Sequence, residues 1–208
     1  MRRGCPAFRL ESTNDPCLAS TSASLADVVA HIHSGDVLFL PSLRLPRLAN
    51  QWGLFDEQSQ IEPFLSDRAE RVRREAEKDA IASLREVTRR RGWVVFEGPP
   101  PLMHIIPMRC SDWFNRDNPV CERGPGVSRT LLERMRAPIL ASYARIAYAV
   151  PGVTVWDPFP ILCPGTECLA YRDGKPLFFD GDHLSGYANA VLLPEFVSFM
   201  KGLPVDGP

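Results

Sequence analysis

No stretch of the 208 residues is apolar over anything like the roughly 20 residues that a helix needs to cross a bilayer, so no membrane span is expected in the chain. Net charge is also nearly missing. Twenty-four Lys and Arg face 25 Asp and Glu, a formal charge of −1, and that balance argues against nucleic acid or an anionic membrane as the main partner, since both require a basic excess. Met1-Arg2-Arg3-Gly4-Cys5-Pro6 carries two arginines but no apolar run after them, so it does not read as a secretory signal. Among the cysteine spacings only Cys163-x4-Cys168 is short, which speaks against a structural zinc site. There is no internal repeat and no low-complexity segment.

What is present is a globular composition, 45 % hydrophobic and 24 % charged, at a length that buries about 70 % of the extended chain's surface in one domain. Two residue types are over-used. The 20 prolines are roughly twice the usual share. The six cysteines fall into three close pairs, Cys5 with Cys17, Cys110 with Cys121 and Cys163 with Cys168, each beside turn formers. Six cysteines allow 15 connectivities and sequence alone does not choose among them. Local disulfides are the simplest reading, with free structural thiols or a metal as the alternatives. Disulfides imply an oxidising compartment, in tension with the missing signal. Either the chain is reduced and cytosolic, or it is part of a longer protein that reaches the periplasm or cell surface by another route.

Apolar periodicity alternates between helix and strand. Ser24 to His33 reads as a short helix capped by Ser22 or Ser24 and ended by Gly35. Asp36 to Leu40, stopped by Pro41, reads as a buried parallel strand, and Leu43 to Asp56 as a loop. Pro63 is expected to open a long helix to about Arg91, its last turn holding Arg89-Arg90-Arg91, a solvated helix end suited to the dipole. Trp93 to Glu97 is a second buried strand. Gly98 to Gly126 is a long Pro-rich loop, a length that points to a functional or anchored segment. Ser128 is expected to cap a helix over 129–149, and Val153 to Trp156 is a third strand. Asp173-Gly174 sits at the turn of a hairpin spanning 169–179, and a closing helix runs from Ser185 to about Lys201. This order predicts an α/β fold, a parallel sheet with helices on both faces.

In such folds ligands bind beyond the carboxyl ends of the strands, which draws attention to Phe178-Phe179-Asp180-Gly181-Asp182-His183-Leu184-Ser185. Asp180 and His183 are three apart in a Gly-containing turn, a spacing that lets a carboxylate orient an imidazole acting as general base. The same pattern also fits a helix cap, with Asp180 or Asp182 accepting backbone N–H groups and His183 incidental.

Longer blocks surround that pattern. Trp156-Asp157-Pro158, Cys163-Pro164-Gly165-Thr166-Glu167-Cys168 and Tyr171 through Ser185 together resemble the last block of the SGNH hydrolase-like domain. More narrowly, they resemble the SGNH domains fused to the C-terminus of acyltransferase-3 membrane proteins, which O-acetylate bacterial cell-surface glycans. Cys110 through Cys121, with Ser111-Asp112-Trp113-Phe114-Asn115 inside it, and Gly35 through Arg44 are similar to the same subgroup. The resemblance covers nearly the whole chain from Cys5 onward.

The resemblance implies an SGNH/flavodoxin-like three-layer fold, with Asp180 and His183 as catalytic acid and base and no cofactor or metal. The family's nucleophile is the Ser of a Gly-Asp-Ser motif after its first strand. This chain contains no Gly-Asp-Ser: Gly35-Asp36 is followed by Val37 and Gly181-Asp182 by His183. A G-x-S-x-G elbow is missing as well. The expectation is a single domain over 1–208 short of its first strand and of the nucleophile that strand carries. Ser42, just past a strand end, is the best stand-in for that nucleophile, while Ser185 suits a helix cap. In the position of the family's catalytic Asn block stand Ser42-Leu43-Arg44. Arg44 is a candidate for substrate binding, set against a structural salt bridge.

The resulting expectation is the C-terminal part of a membrane O-acyltransferase that acts on cell-surface polysaccharide. Its partners would be a glycan acceptor and an acyl donor reached through a membrane domain, its location extracytoplasmic, and its activity alone close to nil. The alternatives are a non-catalytic domain that binds glycan or a partner protein, and a stand-alone carbohydrate esterase using Ser42.

Overall fold

A computed structural model of the chain describes residues 17–41, 45–50, 53–115 and 117–208. In chain order the elements are α1 (Cys17–His31), β1 (Val37–Leu40), β2 (Ala49–Asn50), β3 (Gly53–Leu54), α2 (Glu57–Leu65), α3 (Asp67–Arg89), β4 (Trp93–Glu97) and α4 (Pro107–Cys110). They continue with β5 (Gly126–Ser128), α5 (Arg129–Ala149), β6 (Val153–Trp156), α6 (Phe159–Leu162), β7 (Glu167–Leu169), β8 (Tyr171–Arg172), β9 (Lys175–Pro176) and α7 (Gly186–Lys201).

The three apolar runs form one parallel sheet in the order β1-β4-β6, with Phe39 opposite Val95 and Val95 opposite Thr154. Successive side chains point to opposite faces, so each strand serves two cores. Leu38, Leu40, Val94, Phe96, Val153 and Val155 pack with Ala80, Leu84 and Val87 of α3 and Ile139, Tyr143 and Ile146 of α5. Tyr143 stacks on Phe96, ring centroids 4.4 Å apart. On the other face Val37, Phe39, Val95 and Trp156 meet Leu192, Phe196 and Phe199 of α7. Phe196 makes edge contacts to both Phe39 and Trp156. Helices, sheet and a second helical layer make the three-layer α/β architecture, and every buried Leu, Val or Phe in it adds about 1.5–3 kcal/mol of transfer free energy.

Several local expectations are corrected. The helix expected from Ser24 begins at Cys17 and ends at His31; Ser22 and Ser24 are interior, because the flanking Ala and Leu continue the helix on both sides of them. The long helix expected from Pro63 is two helices. Asp56 caps α2 by accepting the Ser59 N–H at 2.7 Å, and Pro63 lies inside its last turns. Ser66 is extended (φ −68°, ψ 157°) and starts α3 by accepting the Ala69 N–H. A proline removes one helical donor and crowds the preceding turn, and the chain restarts three residues later. Ser128 makes no side-chain cap to α5, because it ends β5, which pairs with β7; the Arg129 N–H instead goes to Thr166 O at 3.0 Å. That short pair, the β2–β3 pair and α4 all fall in segments that carry no periodicity. The hairpin turn is as expected: Asp173 and Gly174 both adopt positive φ, 52° and 71°, as a type I′ turn requires.

The ends of the strands are braced by charge. Asp157, directly after β6, pairs with Arg136 of α5, whose Nε also donates to Pro99 O at 3.1 Å and whose guanidinium lies 3.9 Å over the Phe159 ring. Gly98 is required there, since a Cβ would sit 2.7 Å from Asp157 Oδ1. Arg145 of α5 donates twice to buried Glu77 of α3. No helix among the described residues is long and apolar enough to cross a membrane.

Candidate active site

The segment between β9 and α7 is a closed loop held by its own backbone. Phe178 and Leu184 form an isolated bridge, the Phe179 N–H donates to His183 O at 2.7 Å, and the Ser185 N–H donates to Leu177 O at 2.9 Å. Asp180 organises the turn from inside. Its Oδ1 accepts the Asp182 N–H at 3.0 Å and the His183 N–H at 2.7 Å. The same carboxylate faces the imidazole, with His183 Nδ1 2.8 Å from Oδ2 and 3.0 Å from Oδ1. Asp180 thus accepts the backbone N–H groups of the turn and faces the ring, while the helix cap expected of Asp180 or Asp182 comes from Ser185 instead. Ser185 is the cap of α7. Its Oγ accepts the Ala188 N–H and donates to Pro176 O at 2.6 Å, so this hydroxyl is committed to structure.

Burial opposes the charge on Asp180, but the two backbone N–H groups and the imidazole outweigh it and hold the carboxyl down at about 2. Asp180 is thus an anion at neutral pH, and an anionic acceptor at Nδ1 leaves Nε2 as the ring atom able to take a proton. Asp182 is the buried carboxylate of the loop, 6 % exposed. Burial, and then the neighbouring Asp180 carboxyl, push its pKa up, while Arg47 pulls it down. Arg47 Nε donates to Asp182 Oδ2 at 2.8 Å.

The loop lies against the segments that leave the carboxyl ends of β1 and β4. The Met103 N–H donates to Gly181 O at 2.8 Å, and a Cβ on Gly181 would lie 3.0 Å from Met103 O, with the carbonyls of Ala49 and Ile105 at 3.9 Å. Arg47 comes from the β1–β2 connection. The Asp180–His183 pair is therefore seated where open α/β sheets bind ligands. Beside it opens a cavity of about 670 Å³ lined by Met108, Pro176, Phe179, Leu184 and Tyr187 along with Asp180 and His183. Phe179 is 62 % exposed toward solvent.

Two disulfides tie down the surroundings: Cys110–Cys121 (Cα–Cα 5.6 Å) and Cys163–Cys168 (4.6 Å). The first closes the segment that follows Met108. A brace on the buried His104 adds to it, His104 Nε2 lying 3.1 Å from Glu57 Oε1, to which Arg123 Nη1 also donates at 3.0 Å. Cys5, and with it the Cys5–Cys17 pair, lies outside the described residues, as do Ser42 and Arg44.

The structure thus brings Asp180 and His183 together and adds two residues that the sequence reading did not assign to the site, Arg47 and Asp182 in its ion-pairing role. Their link spans 135 positions, and no local pattern marks it. Ligand atoms of Asp180, Asp182 and His183 fall within 4.8 Å of one another. His183 Nδ1 already faces the Asp180 carboxylate at 2.8 Å, and we read the group as a hydrogen-bonded carboxylate–imidazole pair.

A parallel three-layer α/β fold with a carboxylate-oriented imidazole beyond its strand ends is the arrangement of a hydrolase-like domain. A model of the SGNH domain fused to AT3 domains matches residues 1–198, and the chain belongs to that family. Neither the curated proteins nor the solved structures provide a match to the chain.

Proposed function

We propose that this chain is the SGNH part of an O-acyltransferase that esterifies sugar hydroxyls of a cell-surface polysaccharide, working outside the cytoplasm with a membrane acyltransferase domain that delivers the acyl group. The observation that carries the reading is the Asp180–His183 pair, Nδ1 to Oδ2 2.8 Å, opening onto a 670 Å³ cavity. In the proposed step His183 Nε2 accepts the proton of the attacking hydroxyl. Asp180 holds the Nδ1–H tautomer and stabilises the imidazolium, and the proton is then returned to the leaving group. Met108, Phe179, Leu184 and Tyr187 offer apolar and aromatic faces suited to the C–H surfaces of a sugar ring. The two disulfides suit an oxidising compartment.

Among the described residues no serine is assigned as the hydroxyl nucleophile. The sequence contains no Gly-Asp-Ser, and Ser185 is engaged as a helix cap. We propose that it arrives on a further strand that completes the domain. The outer edge of β1 supports this, because among the described residues β1 pairs only with β4, and an unpaired apolar edge is a site for strand addition. The 208 residues alone are then expected to turn over aryl acetates no faster than buffer.

The deciding experiment replaces His183 by Ala at the native locus and measures alkali-labile acyl esters on the surface polysaccharide. Loss of the esters is expected, and unchanged ester content refutes the reading. The DNA upstream gives a second check: an in-frame Gly-Asp-Ser with hydrophobic segments supports it, and in-frame stops throughout reject the completing strand.

A further inference from the structure

We propose that Arg47 is a positioning residue for the carboxylate–imidazole pair, acting through Asp182 to keep Asp180 free to accept from His183 Nδ1. The functional meaning of this inference rests on the acyl-transfer reading, but the geometry that carries it does not.

His183 Nδ1 faces two carboxylates. Asp180 lies at 2.8 Å and 3.0 Å, and Asp182 Oδ1 at 3.3 Å. That Asp182 oxygen is buried and has no hydrogen-bond partner, although its residue is the most deeply buried of the three. Two carboxylates this close resist joint ionisation, and one of them takes up a proton unless a cation compensates. Asp180 is the one fixed as an anion, by two backbone N–H groups. The proton would therefore go to Asp182.

A protonated Asp182 carries an O–H donor next to the Asp180 oxygens, where it competes with the imidazole for the same acceptor. The cation that prevents this is Arg47. It holds Asp182 Oδ2 at 2.8 Å and comes from a different part of the chain. Asp180 and Asp182 face His183 from its own loop, and Arg47 stands behind Asp182 from the β1–β2 connection. Half of the Arg47 side chain remains exposed, 47 %, so its charge requires no further partner inside the protein. The ring's alignment is in this way tied to the loop that leaves the carboxyl end of β1.

Ring-nitrogen NMR of the ¹⁵N-histidine-labelled chain at mildly alkaline pH reads the His183 tautomer directly. Wild type is expected to show mainly the Nδ1–H form. In Arg47→Met the ratio of Nδ1–H to Nε2–H should fall roughly tenfold, the scale of losing one charge-assisted hydrogen bond. Asp182→Ala should leave the ratio as in wild type, and Arg47→Met with Asp182→Ala should restore it, because the competing donor is gone. If Arg47→Met does not fold, Arg47→Gln is read in its place, with a similar fall expected because the charge is lost while a polar side chain remains.

A wild-type ratio in Arg47→Met, or in Arg47→Gln where it is used, overturns the proposal. So does a double variant that fails to recover. A retained tautomer response alongside unchanged surface esters in His183→Ala would reject the acyl-transfer reading and leave this one standing.

Discussion

Replacing Asp180 by Asn isolates the charge that holds the loop between β9 and α7. Asn keeps an acceptor oxygen for the N–H groups of Asp182 and His183, so the loop retains its turn and loses mainly the ionic component. The Asp180 carboxyl sits at about 2 in the folded protein against a reference of 3.8. At 1.36 kcal/mol per unit the shift amounts to about 2.5 kcal/mol as an upper limit. A quarter of the side chain is exposed, and screening reduces this to roughly 1–2 kcal/mol. The folded value lies below the unfolded one, so the contribution is complete above pH ~4 and is lost as pH falls toward ~2. Urea unfolding of both proteins, followed by circular dichroism from pH 7 down to the lowest pH at which unfolding stays cooperative, should show Asp180→Asn less stable by roughly 1–2 kcal/mol at pH 7. The gap should narrow steadily below pH ~4. A gap of constant size across that range would assign the loss to packing rather than to charge, and no gap at pH 7 would refute the reasoning altogether.

Three other outcomes follow from the same geometry. In His104→Gln, the wild type's loss of stability on acidification below about pH 6.5 should be blunted. Burial, reinforced by Arg123 and opposed by Glu57, lowers the pKa of His104, so the folded state favours the neutral ring and stability falls as pH drops below the unfolded value; identical pH slopes in thermal melts would refute this. Reducing Cys110–Cys121, or replacing both by Ser, should cost about 2–3 kcal/mol on a chain-entropy basis for a loop this short; unfolding with and without reductant measures it, and a loss under ~0.5 kcal/mol contradicts it. Leu132→Ala, at a site with no exposure, should cost about 2–5 kcal/mol in urea unfolding, and a loss below 1 kcal/mol would show that the core collapses around the gap.

Much of the architecture was legible because it rests on short-range physics. Leu38 to Leu40, Val94 to Phe96 and Val153 to Val155 are apolar runs between turn formers, and such runs form buried parallel strands. Asp173-Gly174 specifies its own turn, and Ser185 its own helix start. The candidate pair was legible for the same reason, since three residues separate Asp180 from His183 and one carboxylate can reach both the backbone and the ring. The break at Ser66 was hidden by unbroken apolar spacing across it, and the β5–β7 pair by segments too short to show a period.

What the amino-acid order determined alone, then, is a set of local commitments: three strands, the helices that cover them, one turn with an acid and an imidazole in reach of each other. Which surfaces meet was decided by tertiary structure. Arg47 reaches Asp182 across 135 positions, His104 reaches Glu57, and Gly181 fits under Met103 because the sheet places the ends of β1 and β4 side by side. Ion pairs and close backbone approaches depend on where the chain returns in space, and no residue's own neighbours encode that return.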